Sequence, residues 1–386
     1  MPLNRSIRTP HTPLKKNPCY RLIKRLIWRN CLARLSFATR VIAWFQKQGR
    51  RGLPWQSNTT PYRVWISEIM LQQTQVATVI PYFERFMETF PTLDHLANAS
   101  LDDVFQQWAG LGYYRRAKHL HQSAVLIQKH YHGVFPSDYE DILALPGIGR
   151  STAGAILSMS MQQSYPILDG NVKRVLARHF GIQGWPGDPA VSKQLWALSA
   201  ANTPQKEVHH YTQGMMDLGA TLCTASNPAC ERCPIAASCQ AKALGIISTI
   251  PAKRPKQVIP VQATRMLIFL HPATQKVLLE KRETKGIWGG LWSLVECPLR
   301  TDLSVWCHEN FKLAVKKRQK LEAFRHTFTH FHLDIHPVIC EISTKSLPRL
   351  KAPYQWHALE DLPKLGLPAP VKRLLSADRL VPAAMV

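Results

Sequence analysis

The chain has 386 residues, too many for one ordinary core, and we expect two domains. Apolar residues make up 45% and aromatic residues 9%, which excludes a chain that is disordered by composition. Lys and Arg outnumber Asp and Glu by 49 to 25, a formal charge of +24. That charge indicates a polyanionic partner, with nucleic acid favoured over an anionic membrane surface. No apolar run reaches the roughly 18 residues of a membrane-spanning helix, so we expect a soluble protein without a membrane partner.

The N-terminal region is entirely basic, since the first acidic residue is Glu68. Within it, residues 18–35 have the pattern of an amphipathic basic helix. Residues 1–33 are best interpreted as a flexible extension, while a DNA-binding arm and an organellar transit peptide stay open as alternatives.

From about residue 36 to 245 the apolar pattern has a helical period. Pro61 can open one helix, and further helices are predicted at 101–109, 114–131, 138–144, 150–160, 171–180, 190–202 and 206–220. A segment rich in proline and lysine begins at Pro251 and predicts an extended linker. Short strands are predicted beyond it, at 266–270, 276–280 and 327–335. The chain is therefore expected to be mainly α up to about residue 250 and α+β after it.

Four cysteines, spaced C-x6-C-x2-C-x5-C, lie close together in the chain: Cys223, Cys230, Cys233 and Cys239. Four thiolates from one short loop can converge on a single group, and soft thiolates select iron–sulfur clusters or zinc. Spacing alone leaves both open. The nine cysteines are odd in number, which favours a reducing compartment over a disulfide framework.

The segment Leu145–Arg150 reads Leu-Pro-Gly-Ile-Gly-Arg between two predicted helices. Gly147 and Gly149 permit positive φ, so that successive backbone N–H groups can point at one phosphate. The N-terminus of the following helix, near Ser151, adds its dipole. This pattern is typical of a helix-hairpin-helix element that binds DNA without reading its sequence.

Two carboxylates have surroundings suited to breaking an N-glycosidic bond, which needs one protonated acid and one charged carboxylate. Glu68 is predicted to pack beside Trp65 and Ile69, which would raise its pKa and keep it protonated. Asp169 lies near a helix N-terminus and Lys173, which would keep it charged. Taken singly, Asp169 could be merely a helix N-cap and Glu68 a surface residue.

Several ordered motifs together resemble the MutY family of adenine DNA glycosylases, which belongs to the helix-hairpin-helix superfamily. The motifs are residues 65–75 (WISEIMLQQTQ), 110–114 (GLGYY), 145–154 (LPGIGRSTAG), 167–176 (ILDGNVKRVL) and the four-cysteine loop 223–239. The resemblance runs from about residue 34 to the C-terminus. It implies a helix-hairpin-helix glycosylase domain at 34–248, made of a six-helix barrel and a cluster subdomain, then a linker at 249–263 and a Nudix-like domain at 264–380.

The resemblance also implies a cofactor, a substrate and residue roles. The four cysteines would hold a [4Fe–4S] cluster rather than zinc. Glu68 would protonate adenine at N7, Asp169 would stabilise or trap the sugar at C1′, and Asn171 would support the site. Gln73 and Tyr113 would enter the duplex, with Gly147, Gly149, Ser151 and Lys173 as further DNA contacts. Phe328, Thr329 and His330 fall where the family has a Phe-Ser-His element that contacts 8-oxoguanine, so Thr329 is a departure that keeps the hydroxyl and adds a methyl group.

The implied partner is duplex DNA in which adenine faces 8-oxoguanine or guanine, and the expected enzyme is a monomer in the bacterial cytoplasm, associated with the nucleoid. Endonuclease III-like relatives carry a lysine nucleophile directly after the hairpin, where this chain has Ser151. A monofunctional glycosylase is therefore expected, and a bifunctional glycosylase/AP lyase is the alternative. A non-catalytic DNA-binding module is a third hypothesis. No Nudix hydrolase box follows the loop Gly286–Trp292, so pyrophosphate hydrolysis is not expected.

Overall fold

The computed structural model describes residues 36–255, 258–342 and 347–376. The N-terminal extension 1–33 lies outside these ranges, as does its predicted amphipathic helix. The chain divides into two compact units: the first unit is Met1–Arg51 with Leu157–Arg254, and the second unit is Gly52–Ile156 with Pro255–Val386. The domain boundaries inferred from the sequence stay predictions.

The helices of the described residues are, in chain order, α1 (Phe37–Gln48), α2 (Pro61–Leu71), α3 (Val76–Thr89), α4 (Leu93–Asn98), α5 (Leu101–Trp108), α6 (Arg115–His130), α7 (Tyr139–Leu143), α8 (Arg150–Met161), α9 (Gly170–His179), α10 (Pro189–Asn202), α11 (Val208–Thr221), α12 (Gln240–Ala243), α13 (Leu303–Phe311) and α14 (Ala369–Leu374). The seven helices predicted between residues 101 and 220 are confirmed as α5 to α11, with ends that differ by at most two residues. In the described residues, no helix is long and apolar enough to cross a membrane.

The helix starts follow from local capping. Pro61 opens α2 as predicted, and the Thr60 side chain accepts a hydrogen bond from the Arg63 N–H. Ser100 and Asp103 form a reciprocal capping box at the start of α5. These signals are local in sequence, which is why they locate helix starts without tertiary information.

In the first unit, α1 packs against α11 and α9. A Cβ added at Gly214 of α11 would lie 3.0 Å from the Phe45 Cβ of α1, so glycine permits this close approach. The ring of Phe37 meets His179 of α9 at 4.8 Å between centroids.

In the second unit, α2, α3 and α5 bury aromatic side chains against one another. Trp65, Phe83, Phe86 and Trp108 are fully buried. The rings of Phe86 and Trp108 meet edge to face at 6.2 Å. The helix that carries Glu68 is therefore anchored by its own Trp65 in a rigid core.

Among the described residues, the C-terminal part of the second unit contains an eight-stranded sheet. Its strands are β1 (Val261–His271), β2 (Lys276–Lys281), β3 (Trp292–Ser293), β4 (Val295–Cys297), β5 (Val315–Lys320), β6 (Phe324–Thr327), β7 (His332–Ile342) and β8 (Tyr354–Ala358). The central order is β3-β2-β1-β7-β5, with β4 on β1, β6 on β7 and β8 on β2. Strands β1 and β7 pair in parallel from Val261↔His332 to Leu270↔Glu341, and the other pairs are antiparallel.

Each face of the sheet buries an apolar layer, because successive side chains of a strand point to opposite faces. Met266 and Ile268 of β1 face α14 through Val371. Leu267 and Phe269 face α13 through Phe311. The predicted α+β character of this region is confirmed.

The single strand predicted at 327–335 is wrong, because β6 ends at Thr327 and β7 begins at His332. The two strands pair as an antiparallel hairpin, and the Phe328 N–H donates to the Phe331 carbonyl at 2.9 Å across its tip. The polar–apolar alternation continues on both sides of this turn, which contains no glycine or proline to mark it. Residues Phe328 to His330 therefore occupy a hairpin tip.

Within the second unit, the sheet packs on α5 and α6. A Cβ added at Gly366 would lie 2.8 Å from the Phe105 Cβ, so the backbone at residue 366 can approach Phe105 of α5 this closely only as glycine. The Tyr114 hydroxyl donates to the Leu367 carbonyl at 3.2 Å, and Lys118 Nζ donates to the Thr284 carbonyl at 3.0 Å. The sheet and the helices beside Tyr113 thus belong to one packed body.

Candidate active site

Glu68 lies on α2 in the second unit, at the boundary between core and solvent. Its neighbours Ser67 and Ile69 are buried, whereas Glu68 itself is partly exposed. Trp65, one turn earlier, is fully buried. Glu68 is therefore a partly exposed residue on a helix that Trp65 and Ile69 anchor in the core.

Asp169 lies in the first unit and is the N-cap of α9, one of the two interpretations that the sequence left open. Its carboxylate accepts hydrogen bonds from the Val172 N–H at 2.7 Å and from Asn171 Nδ2 at 3.2 Å. Burial raises the pKa of Asp169, while these hydrogen bonds and the charge of Arg174 act to lower it. Asp169 is therefore a partly buried carboxylate whose orientation is fixed by hydrogen bonds.

The cation that acts on Asp169 is Arg174, whereas the sequence suggested Lys173. Successive residues of a helix point about 100° apart, so the two side chains leave α9 in different directions. Arg174 Nη2 donates to Asn171 Oδ1 at 2.8 Å and to the Gly219 carbonyl at 2.6 Å. Asn171 thereby donates to Asp169 while it accepts from Arg174.

The same arginine reaches the cysteine loop, because Arg174 Nε donates to the Cys223 carbonyl at 2.6 Å. A Cβ at Gly219 would lie 2.5 Å from the Asn171 Cβ, so glycine is needed where α11 meets α9. Asp169 is thus joined to the cysteine loop through Asn171 and Arg174. The sequence did not single out Arg174 or Gly219, since each contact joins residues that lie more than 40 positions apart in the chain.

The four cysteines line one pocket in the first unit, together with Arg178, Ile235 and other residues. All four are free thiols and partly exposed. Arg178 Nη1 donates to Cys223 Sγ at 3.4 Å, and the same guanidinium holds the Thr224 carbonyl at 2.7 Å. Four soft ligands and a nearby positive charge fit an anionic thiolate-bound cluster.

The four cysteine side chains surround this pocket, and both an iron–sulfur cluster and zinc accept thiolate ligands of this kind. The cluster would keep the loop 223–239 in place beside Arg174.

Gln73 and Tyr113, both in the second unit, are exposed side chains on strained backbone. Their φ angles are 58° and 50°, in the region that favours glycine. Tyr113 leaves half of its surface exposed, at 50%. Both follow the ends of core helices, so a rigid body presents them to solvent.

In the hairpin Leu145–Arg150, only one of the two glycines has the positive φ expected from the sequence. Gly147 has φ +79°, and a Cβ there would lie 2.8 Å from the His119 Cβ. Gly149 is outside the positive-φ region, with open space around it, and its carbonyl accepts from the Ala153 N–H at 2.9 Å. Gly149 therefore begins the hydrogen bonding of α8, in which Ser151 is the second residue.

At the tip of the β6–β7 hairpin, Thr329 and His330 are exposed and Phe328 is partly buried. The Phe328 ring stacks on Phe331, with 4.6 Å between centroids and 19° between planes. It also meets Trp288 at 5.4 Å. Phe328 is thus supported on two sides by aromatic rings.

Together the helices, hairpin and cysteine loop define a DNA glycosylase of the helix-hairpin-helix class. Residues 66–201 match the family model described as HhH-GPD superfamily base excision DNA repair protein. Residues 223–239 match the iron-sulfur binding domain of endonuclease III, and residues 265–377 match the NUDIX domain.

Similar proteins narrow this class to one family. The chain is 39% identical over 350 residues to the adenine DNA glycosylase of Buchnera aphidicola subsp. Acyrthosiphon pisum. The matched stretch covers 89% of this chain and 98% of the Buchnera protein. It is 32% identical over 351 residues to the adenine DNA glycosylase of Arabidopsis thaliana, a match that covers 77% of this chain and 55% of the Arabidopsis protein. It is 40% identical over 225 residues to the adenine DNA glycosylase of Homo sapiens, a match that covers 56% of this chain and 41% of the human protein.

The chain belongs to the adenine DNA glycosylase family, as its resemblance to MutY indicated. It is a base excision repair enzyme that acts on the N-glycosyl bond of adenine in DNA, and it carries a [4Fe–4S] cluster.

Proposed function

We propose that this enzyme hydrolyses the N-glycosyl bond of adenine opposite 8-oxoguanine or guanine and leaves the DNA strand uncut. The observation that supports the proposed chemistry is the arrangement at Asp169, a partly buried carboxylate that accepts hydrogen bonds from the Val172 N–H and from Asn171. A carboxylate held in this way suits a cationic sugar, because electrostatic attraction is stronger where water is excluded.

In the proposed reaction, Glu68 gives its proton to N7 of adenine. The bond between C1′ and N9 breaks, and its electron pair moves onto the departing base. The sugar becomes an oxocarbenium ion, which the Asp169 carboxylate stabilises. A water oxygen then bonds to C1′ and its proton returns to Glu68, leaving free adenine and an abasic site. Asn171 keeps Asp169 oriented throughout.

The exposed residues support a flipped-base complex. We propose that Gln73 and Tyr113 fill the space that the adenine leaves in the duplex. The hairpin at Gly147 and Gly149, the helix start at Ser151, and Lys173 would bind the phosphates. The formal charge of +24 suits this binding, and we propose that the enzyme acts as a monomer at the bacterial nucleoid.

Strand cleavage is expected to be absent, because a serine hydroxyl cannot form the Schiff base that a lyase needs. With a duplex that contains an abasic site, borohydride should trap no covalent enzyme–DNA adduct, and the abasic strand should break only on alkaline treatment. As a control, the variant Ser151→Lys should form the adduct. An adduct with the wild-type enzyme would support the bifunctional alternative instead.

Lesion preference is proposed to depend on the hairpin tip of Phe328, Thr329 and His330. The variant Phe328→Ala should lower the ratio of excision rates opposite 8-oxoguanine and guanine about tenfold, the size of one lost base–aromatic contact. Single-turnover assays on the two duplexes measure this ratio. His336→Ala, which changes an exposed histidine of β7 away from the tip, should keep it. An unchanged ratio in Phe328→Ala would remove the tip from lesion sensing.

A further inference from the structure

Arg116, the second residue of α6, is a buried arginine of the second unit with an exposed fraction of 9%. Its guanidinium hydrogen-bonds two separate segments of the chain. Nη1 donates to three carbonyls at the end of α2 and just beyond it, those of Ile69 (2.9 Å), Met70 (2.8 Å) and Gln72 (2.5 Å). Nη2 donates to Thr74 Oγ1 (3.3 Å) and to the carbonyls of Leu111 (3.3 Å) and Gly112 (3.1 Å).

This guanidinium keeps its charge. Burial lowers the pKa of Arg116 to about 10, so it remains protonated at neutral pH. The carbonyls at a helix C-terminus lack partners within the helix and carry partial negative charge, which a cation stabilises. The charge also lies 5.3 Å from the Trp108 ring and 5.4 Å from the Tyr113 ring.

Each segment that Arg116 holds carries one of the residues proposed to enter the duplex. Gln73 lies between Gln72 and Thr74, both of which Arg116 contacts. Tyr113 directly follows Gly112 and also contacts the guanidinium through its ring. Both residues have a positive φ, a conformation that costs energy outside glycine and persists only where the surroundings impose it.

We propose that Arg116 is a positioning residue that holds Gln73 and Tyr113 in the geometry in which they replace the flipped adenine. The proposal rests on the function proposed above for these two side chains. The four N–H groups on Nη1 and Nη2 of a planar guanidinium can hydrogen-bond both segments at once. A lysine ammonium is a single point with three donors and cannot reproduce that fork.

The test uses the full chain with its cluster and the variant Arg116→Lys. Single-turnover adenine release should fall about 10- to 100-fold, the effect expected when the adenine is misplaced by about 1 Å relative to the reacting groups. A duplex with 2-aminopurine at the target position should show a smaller fluorescence rise on binding, because fewer bases leave the stack. The matched control is Arg63→Lys, whose guanidinium donates to the Pro54 carbonyl at 2.7 Å in the same unit. This control should keep both values.

A double-mutant cycle separates positioning from general stability. In the background Gln73→Ala/Tyr113→Ala, Arg116→Lys should add little further loss. If the background itself is slower than the wild type and Arg116→Lys still causes its full loss of rate there, the inference about Arg116 is overturned, while the proposed function of Gln73 and Tyr113 stands. A background with the full wild-type rate would instead overturn the proposed function of Gln73 and Tyr113, and the inference with it. If Arg116→Lys does not fold, the variant Thr74→Val removes one hydrogen bond of Arg116 instead. Thr74→Val should lower the rate of adenine release by a smaller factor, and it should add no further loss in the background Gln73→Ala/Tyr113→Ala.

Discussion

Glutamine in place of Glu68 is expected to lower single-turnover adenine release by about 10²- to 10⁴-fold, the usual contribution of a general acid. The amide matches the carboxyl group in size but has no proton to give to adenine N7. Since α2 is anchored by buried Trp65 and Ile69, the fold should be unaffected. Rates are measured with enzyme in excess over an A:8-oxoguanine duplex, and DNA affinity is measured in parallel.

The matched control for this substitution is Glu88→Gln on α3, where the glutamate is exposed. Its rate should equal that of the wild type. If Glu68→Gln released adenine within about tenfold of the wild-type rate, another group would have to protonate the base. A loss of DNA affinity that accounted for the whole effect would also contradict the assigned role.

Asparagine in place of Asp169 is the second large effect, with an expected loss of about 10²- to 10³-fold from removing one electrostatic stabiliser. Asparagine is a good N-cap, and its Oδ1 can still accept from the Val172 N–H, so α9 should form normally. Only the negative charge beside the sugar is lost. Melting temperature and the single-turnover rate, measured together, separate capping from chemistry.

The pH profile gives a second signature of Asp169. Burial raises its pKa, and only the ionised form stabilises the cationic sugar. The wild-type rate should therefore fall as the pH drops through this raised pKa, at a pH above the ordinary range of an aspartate. Asp169→Asn should lack this acid limb, because the amide does not titrate.

Asp188→Asn is the matched control, since Asp188 caps α10 by accepting from the Ala190 and Val191 N–H groups at 2.9 and 3.1 Å. It should change neither the rate nor the pH profile. A full rate in Asp169→Asn, with or without a lower melting temperature, would leave Asp169 as a helix cap alone.

Much of the fold could be predicted from the sequence because its causes are local. Caps such as Thr60 with Pro61, or Ser100 with Asp103, act within one turn of a helix. The helical period of the apolar residues predicts α5 to α11, with helix ends within two residues of those observed. The hairpin at 327–335 could not be predicted in this way, because its turn contains no local signal such as glycine or proline. Only the pairing of β6 with β7 shows that the chain turns there.

Glu68, Asp169, the four-cysteine loop and Ser151 are candidates that the sequence alone selects, because each stands in a short ordered motif. What surrounds them was decided by tertiary structure alone. Arg174 joins Asp169 to the cysteine loop through Asn171, and Arg116 ties two segments that are more than 35 residues apart. The chain is rich in arginine, and a sequence cannot show which guanidinium meets which carbonyl. That pairing depends on where folding brings distant backbone groups and leaves them without other partners.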